Sequence, residues 1–97
     1  PVILKGILRG DDAETAIQAG ADAIQVSNHG GRQIDGVPAA ISQLQEVASR
    51  VGHKVPIIFD SGIRRGIDIV RALSLGATAV AIGRPILYGI AVAGSNG

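Results

Sequence analysis

Four short apolar runs divide the chain at near-regular intervals, and this spacing constrains the fold more than any other feature. They are Val2–Leu4, Ala23–Val26, Val55–Phe59 and Ala79–Ile82. Each is rich in β-branched residues and has the length of a strand. None alternates cleanly with polar residues, as expected for strands covered on both faces. Helical patterns fill the intervals. Asp11 or Asp12 is placed to cap a helix running to about Ala19, which Gly20 ends. Pro38 suits the first turn of a second helix, in which Ile41, Leu44, Val47, Ala48 and Val51 recur at helical spacing before Gly52. A third helix is predicted from about Ile67 to Leu75, stopped by Gly76, and Pro85 begins a fourth. The order β-α-β-α-β-α-β-α implies a parallel sheet with right-handed crossovers.

A faint internal repeat supports this reading. Gly20-Ala21-Asp22-Ala23 precedes the second strand, and Gly76-Ala77-Thr78-Ala79 precedes the fourth. In each, a helix stops at glycine and a short turn feeds a strand. Four such units make half of a (β/α)8 TIM barrel, a fold of about 250 residues. Residues 1–97 are therefore expected to form one α/β domain too short to close a barrel. On pattern alone, a flavodoxin-like open sheet competes. The chain opens directly on the strand-like Pro1-Val2-Ile3-Leu4, ends on Gly94-Ser95-Asn96-Gly97 and has no starting Met, so both ends are expected to be cuts from something longer.

Composition narrows the function. With nine Lys/Arg against eight Asp/Glu, and a single Tyr and Phe as the only aromatics, the chain lacks both the basic run and the stacking platform of a nucleic-acid binder. It has no cysteine, which excludes disulfides and cysteine-ligated metals. The apolar runs fall well short of the roughly 20 residues of a membrane span, and no signal peptide is apparent. A cytoplasmic protein is expected.

In parallel α/β folds, chemistry gathers at the carboxyl ends of the strands, and the unusual polar residues fall there. Lys5 follows the first strand; Ser27, Asn28 and His29 the second; Asp60, Ser61 and Arg64 the third; Gly83 and Arg84 the fourth. The stretch Asp60-Ser61-Gly62-Ile63-Arg64 leads into a helix, where backbone N–H groups and a guanidinium suit a phosphate. Gly83-Arg84 supplies a second approach, although two solvated arginines would look the same in sequence. His29 stands in a glycine loop with Arg32 three residues on. An imidazole with an ordinary pKa of about 6.5 beside a carboxylate clamp suits proton removal from a carboxylic-acid substrate. The plainer alternative is a capping histidine. Lys5 either holds an anion or pairs with Asp60 or Asp22. His53, at the end of the second helix, reads as a solvated histidine.

Taken together, these motifs resemble those of the FMN-dependent 2-hydroxy-acid oxidase and dehydrogenase family. Ser27-Asn28-His29-Gly30-Gly31-Arg32-Gln33 is similar to the family's active-site signature. Asp60-Ser61-Gly62-Ile63-Arg64-Arg65-Gly66 and Gly83-Arg84-Pro85 are similar to its FMN-phosphate segments, and Leu4-Lys5-Gly6 to its flavin-contacting lysine. The resemblance runs through the whole chain and matches the C-terminal half of the family's barrel. It implies His29 as the active-site base, removing either the Cα proton or the hydroxyl proton, and Arg32 as the carboxylate ligand. Lys5 would lie at the flavin N1/O2 edge and Ser27 at the pyrimidine. Asp60, Ser61, Gly62, Ile63 and Arg64, with Gly83 and Arg84, would hold the ribityl chain and phosphate. The cofactor implied is FMN, with a 2-hydroxy acid and O2 as substrates and H2O2 as product. Ser61 and the segment Gly83-Arg84-Pro85-Ile86-Leu87-Tyr88-Gly89 are most similar to lactate-oxidising members, so L-lactate is the expected substrate. Tyr88 matches none of the family's substrate-binding tyrosines, and no residue here corresponds to the Asp that orients the base. A fragment that binds FMN without turnover is the alternative. Half a barrel leaves open sheet edges, and a homo-oligomer is expected of the parent enzyme.

Overall fold

A computed structural model describes residues 1–97. The strands are β1 (Ile3–Ile7), β2 (Ala23–Val26), β3 (Ile57–Phe59) and β4 (Ala79–Val80), and the helices are α1 (Gly10–Gln18), α2 (Ala40–Val51), α3 (Gly66–Ser74) and α4 (Arg84–Ala93). Short 3-10 turns occupy His29–Gly31 and Gly94–Asn96. All neighbouring strands pair in parallel, in the order β1-β2-β3-β4. That order rules out the flavodoxin-like alternative, whose strand order doubles back on itself. Sequential parallel strands with crossovers of one hand put every helix on the same face of the sheet, which is the arrangement of a barrel segment.

The core lies between that face and the helices. Ile24, Val26, Ile57 and Phe59 alternate along β2 and β3 and are completely buried, as are Ala13 of α1, Leu44, Val47 and Val51 of α2 and Ala72 of α3. Fully burying a side chain of this size contributes about 1.5–3 kcal/mol. The i, i+3, i+7 spacing of Leu44, Val47 and Val51 is what lets one face of α2 reach the sheet.

Coverage of the strands differs from expectation. Only β2 and β3 are well buried; Ile3 and Leu4 of β1 and Ala79 of β4 are exposed. As edge strands of a sheet with one helical layer, β1 and β4 have neither a second neighbour nor a covered opposite face. Helix α4 buries no residue, leaving Ile86, Leu87, Tyr88, Ile90 and Val92 exposed. No helix is long and apolar enough to cross a membrane.

The internal repeat is structural. Gly20 and Gly76 both adopt positive φ (103° and 108°), and the following residues, Ala21 and Ala77, donate back to Ala16 and Ala72 at 3.0 and 3.1 Å. This is the Schellman helix stop, which needs a residue free to adopt left-handed φ. Asp22 and Thr78 then accept backbone N–H groups from the neighbouring strand segments, Val2 N at 2.6 Å and Ile57 N at 3.0 Å. The helix starts were placed less well. α1 begins at Gly10 with Arg9 in the cap position, and neither Asp11 nor Asp12 caps it. Both lie in the first turn, where negative charge favours the helix dipole. A hydrogen bond from Arg9 holds the Asp11 carboxyl down at about 2. Pro38 precedes α2 and does not enter its first turn, whereas Pro85 sits inside the start of α4.

Candidate active site

The polar residues at the carboxyl ends of the strands, Ser27 and Asn28 excepted, line one open cleft of about 690 Å³. β1 contributes Lys5, the loop after β2 His29, Gly30, Arg32 and Gln33, the loop after β3 the run Asp60 to Arg64, and the segment after β4 Gly83 and Arg84. Lys5 lies inside β1, two residues before its end, and does not follow it.

Asp60 organises this floor. Its Oδ1 accepts hydrogen bonds from Ser27 Oγ at 2.6 Å and Ser61 Oγ at 2.7 Å. Its Oδ2 accepts from Gln25 Nε2 and lies 3.6 Å from Lys5 Nζ. Burial pushes the Asp60 carboxyl up, but the hydrogen bonds from Ser27, Ser61 and Gln25 and the charge of Lys5 together outweigh it and leave it below the usual range. Of the two partners open to Lys5 in sequence, the structure selects Asp60, since Asp22 is engaged by Val2 N.

His29 is held on several sides. Its backbone φ is 58°, in the left-handed region, and its amide donates to Ser27 Oγ at 3.1 Å. Lys5 Nζ lies 3.3 Å from ring Nδ1 and donates to Ser27 Oγ at 3.1 Å. The ring packs on Gly6, where β1 is irregular in register between Lys5 and Ile7. A Cβ on Gly6 would stand 2.7 Å from His29 Nε2. The bulge and the missing side chain together make room for the imidazole. Ser27, expected against the flavin pyrimidine, is wholly buried. Its hydroxyl donates to Asp60 and accepts from Lys5 and the His29 amide, which uses its donor and both lone pairs. In this geometry Ser27 orders its neighbours. Arg32 is exposed at the cleft edge, and His53 is exposed far from it.

The phosphate end differs from expectation in one respect. The two amides just ahead of α3 are not open to an anion, because Asp68 Oδ2 accepts from Arg64 N and Arg65 N at 3.2 and 3.0 Å. Those two backbone bonds hold the Asp68 carboxyl below its ordinary range. Free donors lie one turn earlier. The N–H groups of Ser61, Gly62 and Ile63 donate to no protein acceptor. Ser61 and Gly62 both have positive φ, 85° and 81°, and nothing lies within 4 Å of where a Cβ on Gly62 or Gly83 would sit. Arg64 spends one nitrogen on the Ile63 carbonyl and Arg84 one on the Gly30 carbonyl, both at 3.0 Å. Each guanidinium keeps further N–H donors for a ligand. The Ile63 side chain is buried in the core, so only its backbone faces the cleft.

Free amides, two guanidiniums and a backbone open at its glycines make a donor set that fits a phosphate monoester, and Lys5 beside His29 supplies a cation in the same cleft. Gln25 went unremarked in sequence, and Gly6 was noted only as part of Leu4-Lys5-Gly6. Their signals were a polar residue inside an apolar strand, and a glycine following a strand lysine.

Fold and site together define a segment of a β/α barrel whose donors fit a phosphate monoester. The family model for FMN-dependent dehydrogenases matches residues 1–97. An L-lactate oxidase of a Nostoc species is 57% identical over the whole chain, which covers 27% of that protein. A mouse protein, 2-hydroxyacid oxidase 1, is 54% identical, with 26% of its length covered. A crystal structure of a Pediococcus acidilactici lactate oxidase superposes with a TM-score of 0.95 at 55% identity, over 99% of this chain and 27% of that one. Mandelate oxidase, solved with (S)-4-hydroxymandelic acid, superposes with a TM-score of 0.93 at 49% identity, over 97% of this chain and 26% of that one. The chain belongs to the FMN-dependent 2-hydroxy-acid oxidase and dehydrogenase family, and FMN is its cofactor. It spans about a quarter of the length of these relatives.

Proposed function

We propose that this chain forms the base-and-phosphate wall of an FMN-dependent (S)-2-hydroxy-acid oxidase acting on L-lactate. The overall reaction converts L-lactate and O2 to pyruvate and H2O2. His29 takes the proton released from the substrate, either at Cα or at the 2-hydroxyl. Arg32 holds the substrate carboxylate through its guanidinium. When bound, FMN supplies the two-electron acceptor. Lys5 sits where its charge would favour negative charge on the reduced ring. Ser27 keeps Lys5 and His29 in register. Asp60, the backbone of Ser61, Gly62 and Ile63, and the side chains of Arg64 and Arg84 beside Gly83 form the ribityl and phosphate side. The observation that carries this reading is the convergence of a histidine tied to a lysine at 3.3 Å with two incompletely used arginines in the same cleft. The lactate preference is supported by the 57% identity to an L-lactate oxidase, although a 2-hydroxyacid oxidase follows at 54%.

For the 97-residue stretch by itself we infer FMN binding without turnover, because the cleft is open and no side chain here orients His29 from a second wall. The test mixes the full-length, FMN-loaded protein with L-lactate under anaerobic conditions and follows loss of flavin absorbance. Reduction by L-lactate faster than by mandelate or glycolate is expected. His29→Gln should abolish reduction while FMN stays bound, and unchanged reduction in that variant overturns the assignment of the base. Titrating FMN into the purified 97-residue chain separately tests binding without turnover.

A further inference from the structure

We propose that Ser61 is a positioning residue, whose hydroxyl fixes the loop carrying His29. This inference rests on the reading of His29 as the base. Ser61 and His29 are the only two non-glycine residues with positive φ, at 85° and 58°, and their loops meet. Ser61 Oγ accepts the backbone N–H of Asn28 and of Gly30, both at 3.3 Å, and donates to Asp60 Oδ1 at 2.7 Å. The two amides it holds flank His29 on either side, while the His29 amide itself is held by Ser27. Three consecutive N–H groups of the base loop are thus tied, through two serine hydroxyls, to the one carboxylate of Asp60.

This use of the hydroxyl is complete. A serine has one donor and two acceptor sites, and all three are taken within the protein, so Ser61 contributes only its backbone to the cofactor side. On the other face of Gly30, the carbonyl accepts from Arg84 Nη2 at 3.0 Å. The Gly30 residue is therefore gripped from the β3 loop at its N–H and from the start of α4 at its carbonyl. These are the same two segments that present the phosphate donors. Glycine would satisfy φ of 85° at position 61 without strain, but it would leave the Asn28 and Gly30 amides without these partners. A side chain kept in a left-handed conformation points to a role for the group it carries.

The test uses the full-length, FMN-loaded enzyme with Ser61→Ala and Ser61→Gly. Ala removes the hydroxyl and keeps the backbone strain; Gly removes both. With FMN at saturating concentration, both variants are expected to exchange the Asn28 and Gly30 amides roughly tenfold faster by hydrogen–deuterium exchange. The rate of anaerobic flavin reduction is expected to fall by roughly 10- to 100-fold, the scale of a misplaced catalytic group. Wild-type reduction or wild-type exchange in Ser61→Gly overturns the proposal, and so does a loss of FMN affinity with unchanged exchange. Should Ser61→Ala fail to fold, Ser61→Gly still decides the matter, since it carries no strain. Full activity of His29→Gln would sink the base assignment alone, because amide exchange reports the clamp whatever His29 does.

Discussion

Gly6→Ala tests the packing that seats the imidazole. Gly6 has φ of 96°, where an L side chain is strained by about 1–3 kcal/mol. The new methyl would lie 2.7 Å from His29 Nε2 and 3.1 Å from Cε1. Ordinary contact begins near 3.4 Å, so the ring must retreat by roughly 0.7 Å from the 2.7 Å position. That displacement also disturbs the 3.3 Å contact between Nδ1 and Lys5. A shift of this size in a catalytic group is worth roughly 10- to 100-fold in rate. Gly20→Ala is the matched control. Its φ is 103°, but nothing lies within 4 Å of its Cβ position. Both variants of the full-length enzyme should lose about 1–3 kcal/mol of stability in denaturant titrations. Only Gly6→Ala should slow anaerobic flavin reduction. A wild-type reduction rate in Gly6→Ala, or an equal loss in Gly20→Ala, would refute the claim that this glycine makes room for a His29 ring that serves as the proposed base.

Asp60→Asn keeps one acceptor oxygen for Ser27 and Ser61 but turns an N–H toward Gln25 and Lys5, so it should cost about 1–3 kcal/mol in chemical denaturation. Because the folded Asp60 carboxyl lies below its ordinary value, its stabilisation is present above about pH 4 and is lost as pH falls through the folded value. Stability measured against pH should therefore decline less steeply below about pH 4 in Asp60→Asn than in the wild type, and parallel declines would contradict the lowered carboxyl. Phe59→Ala empties the largest fully buried side chain, immediately before Asp60, and should cost about 3–5 kcal/mol. A loss under 1 kcal/mol in a denaturant titration would show that the β3 face is not packed as described.

The gathering of His29, Arg64 and Arg84 at one end of the sheet was legible in sequence because it is written in residue types: a histidine among glycines, and arginines after apolar strands. The helix stops at Gly20 and Gly76 were legible for a similar reason, since the left-handed turn demands glycine. The starts of α1 and α2 were not. Arg9 occupies a cap position with no capping side chain, and Asp68, a residue inside α3, caps the helix that its own loop was expected to open to phosphate. Capping depends on which carboxylate the backbone brings within reach, and several candidates looked alike. The partner of Lys5 was equally open, with Asp22 and Asp60 both acceptable on charge.

By itself the sequence determined the alternation of strands and helices and the end of the sheet where the polar residues gather, Lys5, His29, Arg64 and Arg84 among them. These follow from short-range rules: hydrophobic period, glycine conformation and side-chain chemistry. Only the tertiary structure decided the strand order that separates a barrel segment from an open doubly wound sheet. It alone joined Gln25, Ser27, Ser61 and Lys5 around the single carboxylate of Asp60. Gln25 and Asp60 are 35 residues apart and Arg84 and Gly30 are 54 apart. Contacts at such separations depend on parallel register between strands, which no local pattern encodes.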